Sequence, residues 1–568
     1  MFGLGLADLI VVIVYLAGVT ALGVWVMRRV KGVDDFIMPR RFGYWMMTMH
    51  SFGTATHSDQ AVSVASKSYT NGLSGIWYQW LYLFATPFYW LIAPMMRRFR
   101  ALTVADIFEL RYDSGVAALY AVVSVAMMVT TIGLMLKGSG AVIAGASGGA
   151  VSSDAAIIFM TILFVGYGTA GGLGAAIVTD FVQGVLTILF SFLLLPFVLD
   201  AVGGIAGMRA TINDPEMFSL IAPGEIGLFY VAVITVNGLI GIVTQPHNLA
   251  PCAAGKTEKQ GQVGFVVGSF TKRICTVAWS LTGLAGVAYF AGRELNPDHL
   301  FGMLASEFLP QVLPGMLGLF IATLLASVMS SCDSFMIAGS ALFTENIYKK
   351  VRPNRADGHY LKTARIASVG VVVLGVLYAY WLEGVIQGLE IFWKIASMMG
   401  IPFWLGLFWR RATSVAAWAS TLGAFFAWWI STQAFFVGWL ATSSFEESLN
   451  IVVEMGGIPQ VFLPWQMVFY LVTGLMLGIA TSLFTARSDP ERIDRFYKLL
   501  HTPVLTEEGN LPEPCTLPEG AVTLPSRSLF PNSEIEISLP SKRMVVGFLA
   551  GWAVVGGIVG FVYWIAVG

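Results

Sequence analysis

Long apolar stretches, separated by short polar segments, follow one another along almost the whole chain. A helix needs about 20 apolar residues to cross the ~30 Å hydrocarbon core of a bilayer, and about fourteen stretches meet that length. In chain order, the predicted spans cover residues 4–26, 45–68, 73–96, 115–143, 155–175, 181–201, 224–249, 264–291, 313–341, 363–382, 387–409, 413–440, 463–485 and 544–567. The pattern therefore predicts an all-α polytopic membrane protein with about fourteen transmembrane helices.

The composition agrees with this prediction and excludes several classes of protein. Of the 568 residues, 56% are hydrophobic and 12% are charged, against about 25% of charged residues in soluble domains. So few charges cannot cover the surface of a soluble enzyme, and a formal net charge of −1 gives no bias toward nucleic acid. The four cysteines are scattered and form no CxxC pair, so neither a disulfide framework nor a structural zinc site is predicted.

Basic residues are concentrated in alternate loops. One set of loops carries Arg28, Arg29, Lys31, Arg40, Arg41, Arg97, Arg98, Arg100, Lys256, Lys259, Lys349, Lys350, Arg352, Arg355, Arg410 and Arg411. The opposite set has little beyond Arg209 and Arg293. The positive-inside rule then places the N-terminus on the outer side of the plasma membrane. An even number of spans, fourteen, returns the C-terminus to the same side of this multi-pass protein.

Two of the predicted spans are interrupted by polar residues, glycine or proline. The second span reads HSFGTATHSDQAVSVASKSYTNG from His50, with His57, Asp59 and Gln60 at mid-membrane depth, and the seventh reads VNGLIGIVTQPHN over 236–248. The two lie five spans apart and therefore cross in opposite directions, so spans 2–6 and 7–11 form two five-helix units of inverted topology. Matching interruptions of this kind indicate a binding site near the membrane midplane. The alternative is that glycine and serine serve close helix packing.

The ninth span carries the sequence LLASVMSSCDS. Its hydroxyls at Ser327, Ser330, Ser331 and Ser334 follow i, i+3, i+4, i+7 spacing and share one helix face. Serine can bond its own helix, but a carboxylate such as Asp333 costs about 2.5–3.5 kcal/mol at mid-membrane and indicates a functional position. Hydroxyls and freed backbone carbonyls together are suitable ligands for sodium.

Several stretches of this chain resemble the sodium:solute symporter family, which includes sodium–glucose, sodium–proline and sialic acid cotransporters. They are KGVDDFIMPRRFGYWM after the first span, YGTAGGLGAAIVTDFVQG (167–184), TQPHNLAPCAAGKTEKQ (244–260), LLASVMSSCDS and LGLFWRRAT (405–413). The matches occur in the family's order over nearly the whole chain. The resemblance implies a leucine-transporter-like fold with a 5+5 inverted-repeat core and a sodium ion as coupling ion, with no other cofactor.

The resemblance also implies which residues bind cations. The sodium ligands would be the carbonyls of Gly53, Thr56 and Ser327 and the hydroxyls of Ser330 and Ser331. A second cation site would use Asp180, Asp333 and Ser334, although other family members carry two hydroxyls where this chain has Asp333 and Ser334. Asp333 then either strengthens a second sodium site or shares a proton with Asp180. The alternative role for Asp180 is to cap the N-terminus of the sixth span.

On the family pattern the solute would contact residues beside the interrupted spans. The candidates are His57, Asp59, Gln60, Lys137 and Asn237. Lys137, within the fourth span, either extends to the outer interface or faces the cavity, where it would pair with Asp59 or with an anionic solute. Because Lys137 and His57 are among these candidates, an anionic or zwitterionic solute is slightly favoured over a sugar. Glu390 and Lys394, spaced i, i+4 in the eleventh span, are expected to satisfy each other, with a role in the cavity as the alternative.

The predicted organisation follows from the spans and the resemblance. Residues 1–44 form the first transmembrane helix and a cytoplasmic loop, and 45–411 form the transporter core, with units 45–201 and 224–411. Residues 412–485 form two peripheral helices and 544–568 the last transmembrane helix. Residues 486–543 form a cytoplasmic loop expected to be a flexible tether, with a small folded element as the alternative.

The predicted function is sodium-coupled symport of a small organic solute into the cell by alternating access. No HExxH motif or P-loop is present in the sequence and no nucleophile elbow is visible, so an enzyme or an ATP-driven pump is not expected. The alternatives are a proton-coupled or uncoupled carrier on the same fold, and a transporter-like sensor. The expected partners are therefore sodium, the solute and the lipid bilayer, without nucleic acid.

Overall fold

The computed structural model describes residues 4–27, 38, 40–222, 225–455, 457–508, 513–524, 528–531 and 533–567. Most of these residues are helical. Residues 28–37 and 39, in the loop predicted after the first span, lie outside the described residues.

The longer helices are labelled here in chain order. They are α1 (Leu6–Met27), α2 (Tyr44–Ala55), α3 (Ser58–Asn71), α4 (Thr86–Arg98), α5 (Val104–Arg111), α6 (Ser114–Ala146), α7 (Ser153–Leu193), α8 (Leu195–Ala201), α9 (Gly204–Ile212), α10 (Leu228–Gly241), α11 (Leu249–Ala253), α12 (Glu258–Tyr289), α13 (Leu300–Val312), α14 (Met316–Ala341), α15 (Asp357–Trp381), α16 (Val385–Phe408), α17 (Ser414–Ser431), α18 (Ala434–Ala441), α19 (Leu463–Phe484), α20 (Pro490–Leu500) and α21 (Lys542–Val567). A small antiparallel hairpin joins β1 (Val452–Met455) to β2 (Ile458–Val461). Shorter helical turns occur at Gly72–Ile76, Trp77–Trp80, Pro215–Phe218, Ile242–Thr244, Pro246–Asn248, Pro297–His299, Leu342–Tyr348, Lys349–Val351 and Glu446–Leu449.

Many of these helices are long and apolar enough to cross a membrane. Among the described residues seven helices meet that test, or nine if each of two bent helix pairs is one span. The spans predicted near α1, α2–α3, α4 and α12 are shorter, broken or more polar. The chain is therefore a multi-pass helical protein, and the count of fourteen spans stays a prediction.

Two of the predicted spans fall within one helix. The sequence predicted separate spans at 155–175 and 181–201, and α7 covers most of both. Among the described residues, Ser153–Val165 is a shorter apolar segment, and Ala176–Ala201 is long and apolar enough to cross a membrane. The division into two spans therefore stays a prediction.

Both predicted helix interruptions are confirmed. Helix α2 ends at Ala55, Thr56 and His57 have extended backbones, and α3 begins at Ser58. Helix α10 leads into a short turn, and the chain then bends by 67° before α11. The local cause in the second case is Pro246, which cannot continue a helix because it lacks a backbone N–H.

The core forms where the interrupted helix α2–α3 lies between α12 and the pair α7 and α14. Helix α12 packs along both α2 and α3, and α14 packs along α7, with α1 covering both. Glycines allow the close approach of α12. A Cβ at Gly268 would lie 2.8 Å from the carbonyl oxygen of Thr48, and one at Gly283 would lie 2.4 Å from that of Ala65. This contact holds the interruption of α2–α3 at a fixed place in the bundle.

The expectation of a flexible tether at 486–543 is wrong for its described part. Helix α20 buries Ile493, Phe496, Tyr497 and Leu500 on one face, and Asp489 caps its first turn. The helical spacing of these apolar residues was obscured by the prolines and charges around it. Ion pairs then hold the segment against the core, namely Arg100–Glu508, Arg410–Asp494 and Arg410–Glu536.

We expect Phe496→Ala to loosen this segment without disturbing the core. The Phe496 ring is 2% exposed and lies 4.9 Å from the ring of Phe99. Removing a buried phenylalanine side chain costs about 3–5 kcal/mol, so hydrogen exchange over 490–540 should rise by at least tenfold. Phe484→Ala is the matched control because that ring is 90% exposed. Equal exchange in Phe496→Ala and the unmodified protein would show that α20 does not anchor the segment.

Candidate functional site

The interruption in α2–α3 lies directly against the serine-rich face of α14. Ser331 Oγ donates to the carbonyl oxygen of Gly53 at 3.0 Å, and Ser327 Oγ donates to that of Thr56 at 3.3 Å. Carbonyls at a helix end have no helical partner and can bind other groups. All four residues are buried. The structure therefore brings the predicted carbonyl and hydroxyl ligands into one cluster.

A carboxylate adjoins this cluster. Ser330 Oγ donates to Asp180 Oδ1, and the Nδ1 of His50 lies 2.6 Å from Asp180 Oδ2. A Cβ on Gly53 would lie 2.8 Å from Ser330 Oγ, so a larger residue here would displace that hydroxyl. Asp180 lies inside α7, and the alternative that it caps a helix N-terminus is therefore wrong.

The residues proposed for a second cation site belong partly to the same network. Thr54 Oγ1 lies 3.2 Å from Ser334 Oγ and 3.2 Å from His50 Nδ1. Asp333 is buried on α14, one position before Ser334. Asp180 and Ser334 are thus connected through two residues of α2 that the sequence analysis did not select as site residues. The sequence feature that could have identified these two residues is the i, i+3, i+4 spacing of His50, Gly53 and Thr54.

A narrow cavity of about 50 Å³ lies between the two helix interruptions. His57 lines it from the interruption, Gln60 from α3, and His247 from the turn after α10. Gln60 Nε2 lies 3.0 Å from His57 Nε2. Asp59 is not part of the lining, but its carboxylate contacts His57 Nδ1 from behind. Three of the predicted solute-site residues therefore lie in or next to one cavity.

The two remaining solute candidates lie outside the lining. Lys137 is on α6, one turn after Gly133, which packs against Gly375 of α15. Asn237 donates from Nδ2 to the carbonyl of Trp393 at 3.2 Å, and its Oδ1 accepts from the hydroxyl of Tyr470. Asn237 thus connects α10 to α16 and α19.

Two buried basic residues line the cavity and were missed by the sequence analysis. Lys272 Nζ donates to the carbonyl of Ala55 at 2.6 Å, and Arg273 Nη1 donates to that of Gln79 at 2.5 Å. Both side chains come from α12, and both residues are at most 4% exposed. The sequence feature that could have identified them is an adjacent basic pair inside the predicted span 264–291. Each charge there carries an insertion penalty of a few kcal/mol.

An aromatic ring joins the cation cluster to the cavity. Phe335 lies one helical turn after Ser331 on α14 and lines the cavity. Its ring centroid is 6.0 Å from that of His57 and 4.2 Å from that of His247. The same helix therefore contacts the carbonyls at the first interruption and the histidines beside both.

The expected pairing of Glu390 with Lys394 is wrong. Lys394 Nζ donates to Gln466 Oε1 at 3.0 Å, and Glu390 Oε1 accepts from the hydroxyl of Tyr78 at 3.1 Å. Each charged group has found a polar partner on another helix, because i, i+4 spacing allows a pair without requiring one.

Comparison with known proteins places this site in a family. The model of the sodium:solute symporter family matches residues 36–424. The chain belongs to the sodium:solute symporter family. This family member is 24% identical to the sodium/glucose cotransporter of Vibrio parahaemolyticus, over 73% of this chain and 83% of that protein. It is 25% identical to the sodium/pantothenate symporter of Escherichia coli K12, over 71% of this chain and 86% of that protein. It is also 25% identical to the sodium/sialic acid symporter NanT of Aliivibrio fischeri, over 73% of this chain and 85% of that protein.

Solved structures establish the fold. A Na+-coupled sialic acid symporter in a substrate-bound outward-open state matches with a TM-score of 0.67 and 19% identity, covering 85% of this chain and 99% of that one. The transporter Mhp1 in a closed conformation matches with a TM-score of 0.51 and 13% identity, covering 82% of this chain and 99% of that one. The fold is thus that of leucine-transporter-like symporters. The family and the relatives are membrane transporters rather than enzymes, and sodium is the coupling ion that the family implies.

Proposed function

We propose that this family member moves a small organic solute into the cell together with sodium by alternating access. The observation that carries the proposal is the contact between the α14 hydroxyls and the carbonyls at the interruption of α2–α3. Ser331 reaches Gly53 and Ser327 reaches Thr56, so the oxygen atoms that an alkali cation needs are already gathered.

The chemistry of the cluster favours sodium. Hard cations prefer oxygen ligands, and carbonyl oxygens can replace a hydration shell. Ser330 adds a hydroxyl, and the carboxylate of Asp180 behind it adds a negative charge. We propose Gly53, Thr56, Ser327, Ser330 and Ser331 as the sodium ligands.

The position of Phe335 supports coupling between sodium and solute. An ion held between α2 and α14 fixes the wall of the cavity, because Phe335 lies one turn from Ser331 and contacts both histidines. Sodium would then bind the solute-competent state more tightly and raise its population. By linkage, the solute raises the affinity for sodium equally. A membrane potential of 100 mV adds about 2.3 kcal/mol per inward charge.

Several finer features belong to the same proposal. The core consists of the inverted units 45–201 and 224–411, flanked by the helices within 412–485 and 544–568, with both termini outside. Asp180, Asp333 and Ser334 form a second cation site that shares its network with the first through His50 and Thr54. His57, Asp59 and Gln60 contact the solute directly or through one another.

One observation favours a second candidate, a proton-coupled carrier. Asp180 and His50 are a buried pair of titratable groups next to the cluster, and such a pair can share or pass a proton. Transport would then depend on pH instead of sodium.

Reconstituted protein distinguishes the two candidates. Proteoliposomes are given inward gradients of sodium, or of choline, at fixed pH, with pantothenate, proline, sialic acid and glucose as probes. Sodium-dependent accumulation of a probe is the expected result. Accumulation that is equal in choline and driven by an imposed pH gradient would overturn sodium coupling.

A further inference from the structure

We propose that the solute carries a carboxylate and that the guanidinium of Arg273 binds it. The inference rests on the proposed function, because it names the class of solute for the cavity described above. Arg273 lines that cavity together with Lys272, and the sequence analysis had selected neither.

The two basic residues of the cavity have no carboxylate partner among the described residues. Arg273 and Lys272 are both buried, yet within the described part of the chain no carboxylate lies at ion-pair distance from either. The neighbouring carboxylate, Asp59, contacts His57 instead. A buried charge without a counter-charge is strongly unfavourable, and a guanidinium keeps its proton at physiological pH. The Arg273 guanidinium is therefore the buried positive charge that an anionic ligand would neutralise.

The two basic residues have different tasks. The Lys272 ammonium donates to the carbonyl of Ala55, the last residue of α2, where a cation also opposes the negative end of the helix dipole. Lys272 therefore supports the interruption. Arg273 donates from Nη1 to Gln79, while its buried Nε has no partner. A guanidinium with a free N–H edge matches the two oxygens of a carboxylate.

Other groups of the lining indicate what surrounds the carboxylate. Gln60 Oε1 and His247 Nδ1 are buried and lack hydrogen-bond partners, so the body of the solute would carry polar hydrogens or acceptors. Tyr82, Phe392 and Trp393 supply flat apolar walls. The Tyr82 ring also lies 5.6 Å from the guanidinium of Arg273 and restricts its orientation. The site therefore fits a small hydroxylated or amide-bearing carboxylate better than a neutral sugar.

Matched pairs of ligands test this inference. Purified full-length protein in nanodiscs is heated with sodium alone, and with sodium plus pantothenate, sialic acid, proline or benzoate. Each carboxylate is compared with its neutral counterpart (pantothenyl alcohol, sialic acid methyl ester, prolinamide or benzamide), and glucose is included. At least one carboxylate is expected to raise the Tm, and its neutral counterpart is not.

Variants assign the effect to Arg273. Arg273→Gln should weaken binding of that carboxylate at least tenfold, Arg273→Lys should restore part of it, and the exposed control Arg487→Gln should bind as the unmodified protein does. Stabilisation by sodium alone should persist in Arg273→Gln and shows that the variant is folded. A neutral ligand that binds as well as its carboxylate, or the absence of any carboxylate shift that depends on Arg273, overturns the inference. Loss of the sodium effect in the unmodified protein contradicts the proposed function instead.

Discussion

Sodium is expected to lose its effect on the protein when Ser330 and Ser331 are both replaced by alanine. Ser331 reaches the Gly53 carbonyl, and Ser330 links the cluster to Asp180. Each hydrogen bond or ligand contact to a charged group contributes about 1.5–3 kcal/mol, so removing two should weaken sodium binding by a factor of roughly 100 or more. Saturating sodium at a hundred times its Kd stabilises the native state by about 2.7 kcal/mol. The double variant should lose that stabilisation and all sodium-stimulated uptake.

The matched control is a serine on the same helix. Ser340 is buried on α14, and its hydroxyl bonds only to the carbonyl of Ile337 in its own helix. Ser340→Ala should retain both the stabilisation by sodium and the uptake, because no other helix depends on that hydroxyl. Unchanged sodium dependence in the Ser330→Ala/Ser331→Ala variant, at normal expression, would remove these residues from the cation site.

The second large effect is expected for Asp180→Asn. The carboxylate lies behind Ser330 and next to His50. At an effective dielectric constant of about 20, a unit charge about 5 Å from an ion contributes about 3 kcal/mol. Sodium affinity should therefore fall by a factor of roughly 100, which a sodium titration of thermal stability measures. Asparagine keeps the shape of the side chain, so the fold should persist.

A second aspartate on the same helix provides the comparison. Asp154 is exposed in the first turn of α7, and Asp154→Asn should leave the sodium titration unchanged. A different result is possible for Asp180→Asn, namely a normal sodium titration together with loss of the pH dependence of uptake. The carboxylate would then bind the coupling proton, and the protein would be a proton-coupled carrier.

The sequence was sufficient to predict the cluster of oxygen atoms that is proposed to bind sodium. Polar residues and glycine in an otherwise apolar span predicted the interruption at Thr56 and His57. Polar side chains are costly inside a membrane, so their presence in the span indicated a functional break. The spacing of Ser327, Ser330 and Ser331 determined their common face. Both features are local, and local patterns are what a single sequence reveals best.

Features that depend on packing between distant segments were not predictable in this way. Lys137 and Arg273 are both basic residues inside apolar spans, but the rotation of each helix decides which one lines the cavity. Averaging hydropathy over a span also concealed Arg273, because one charge pair changes the average little. The fold of 486–543 depends on contacts such as Arg410 with Glu536, which join residues far apart in the chain.

A sodium ion is proposed to bind where α2 is interrupted, against α14. Electron cryomicroscopy maps of the protein in sodium and in potassium can locate this ion. Density is expected in the sodium map alone, contacted by the carbonyls of Gly53 and Thr56 and the hydroxyl of Ser331. Identical maps in the two salts, or ion density that leaves these three residues without a contact, would contradict it.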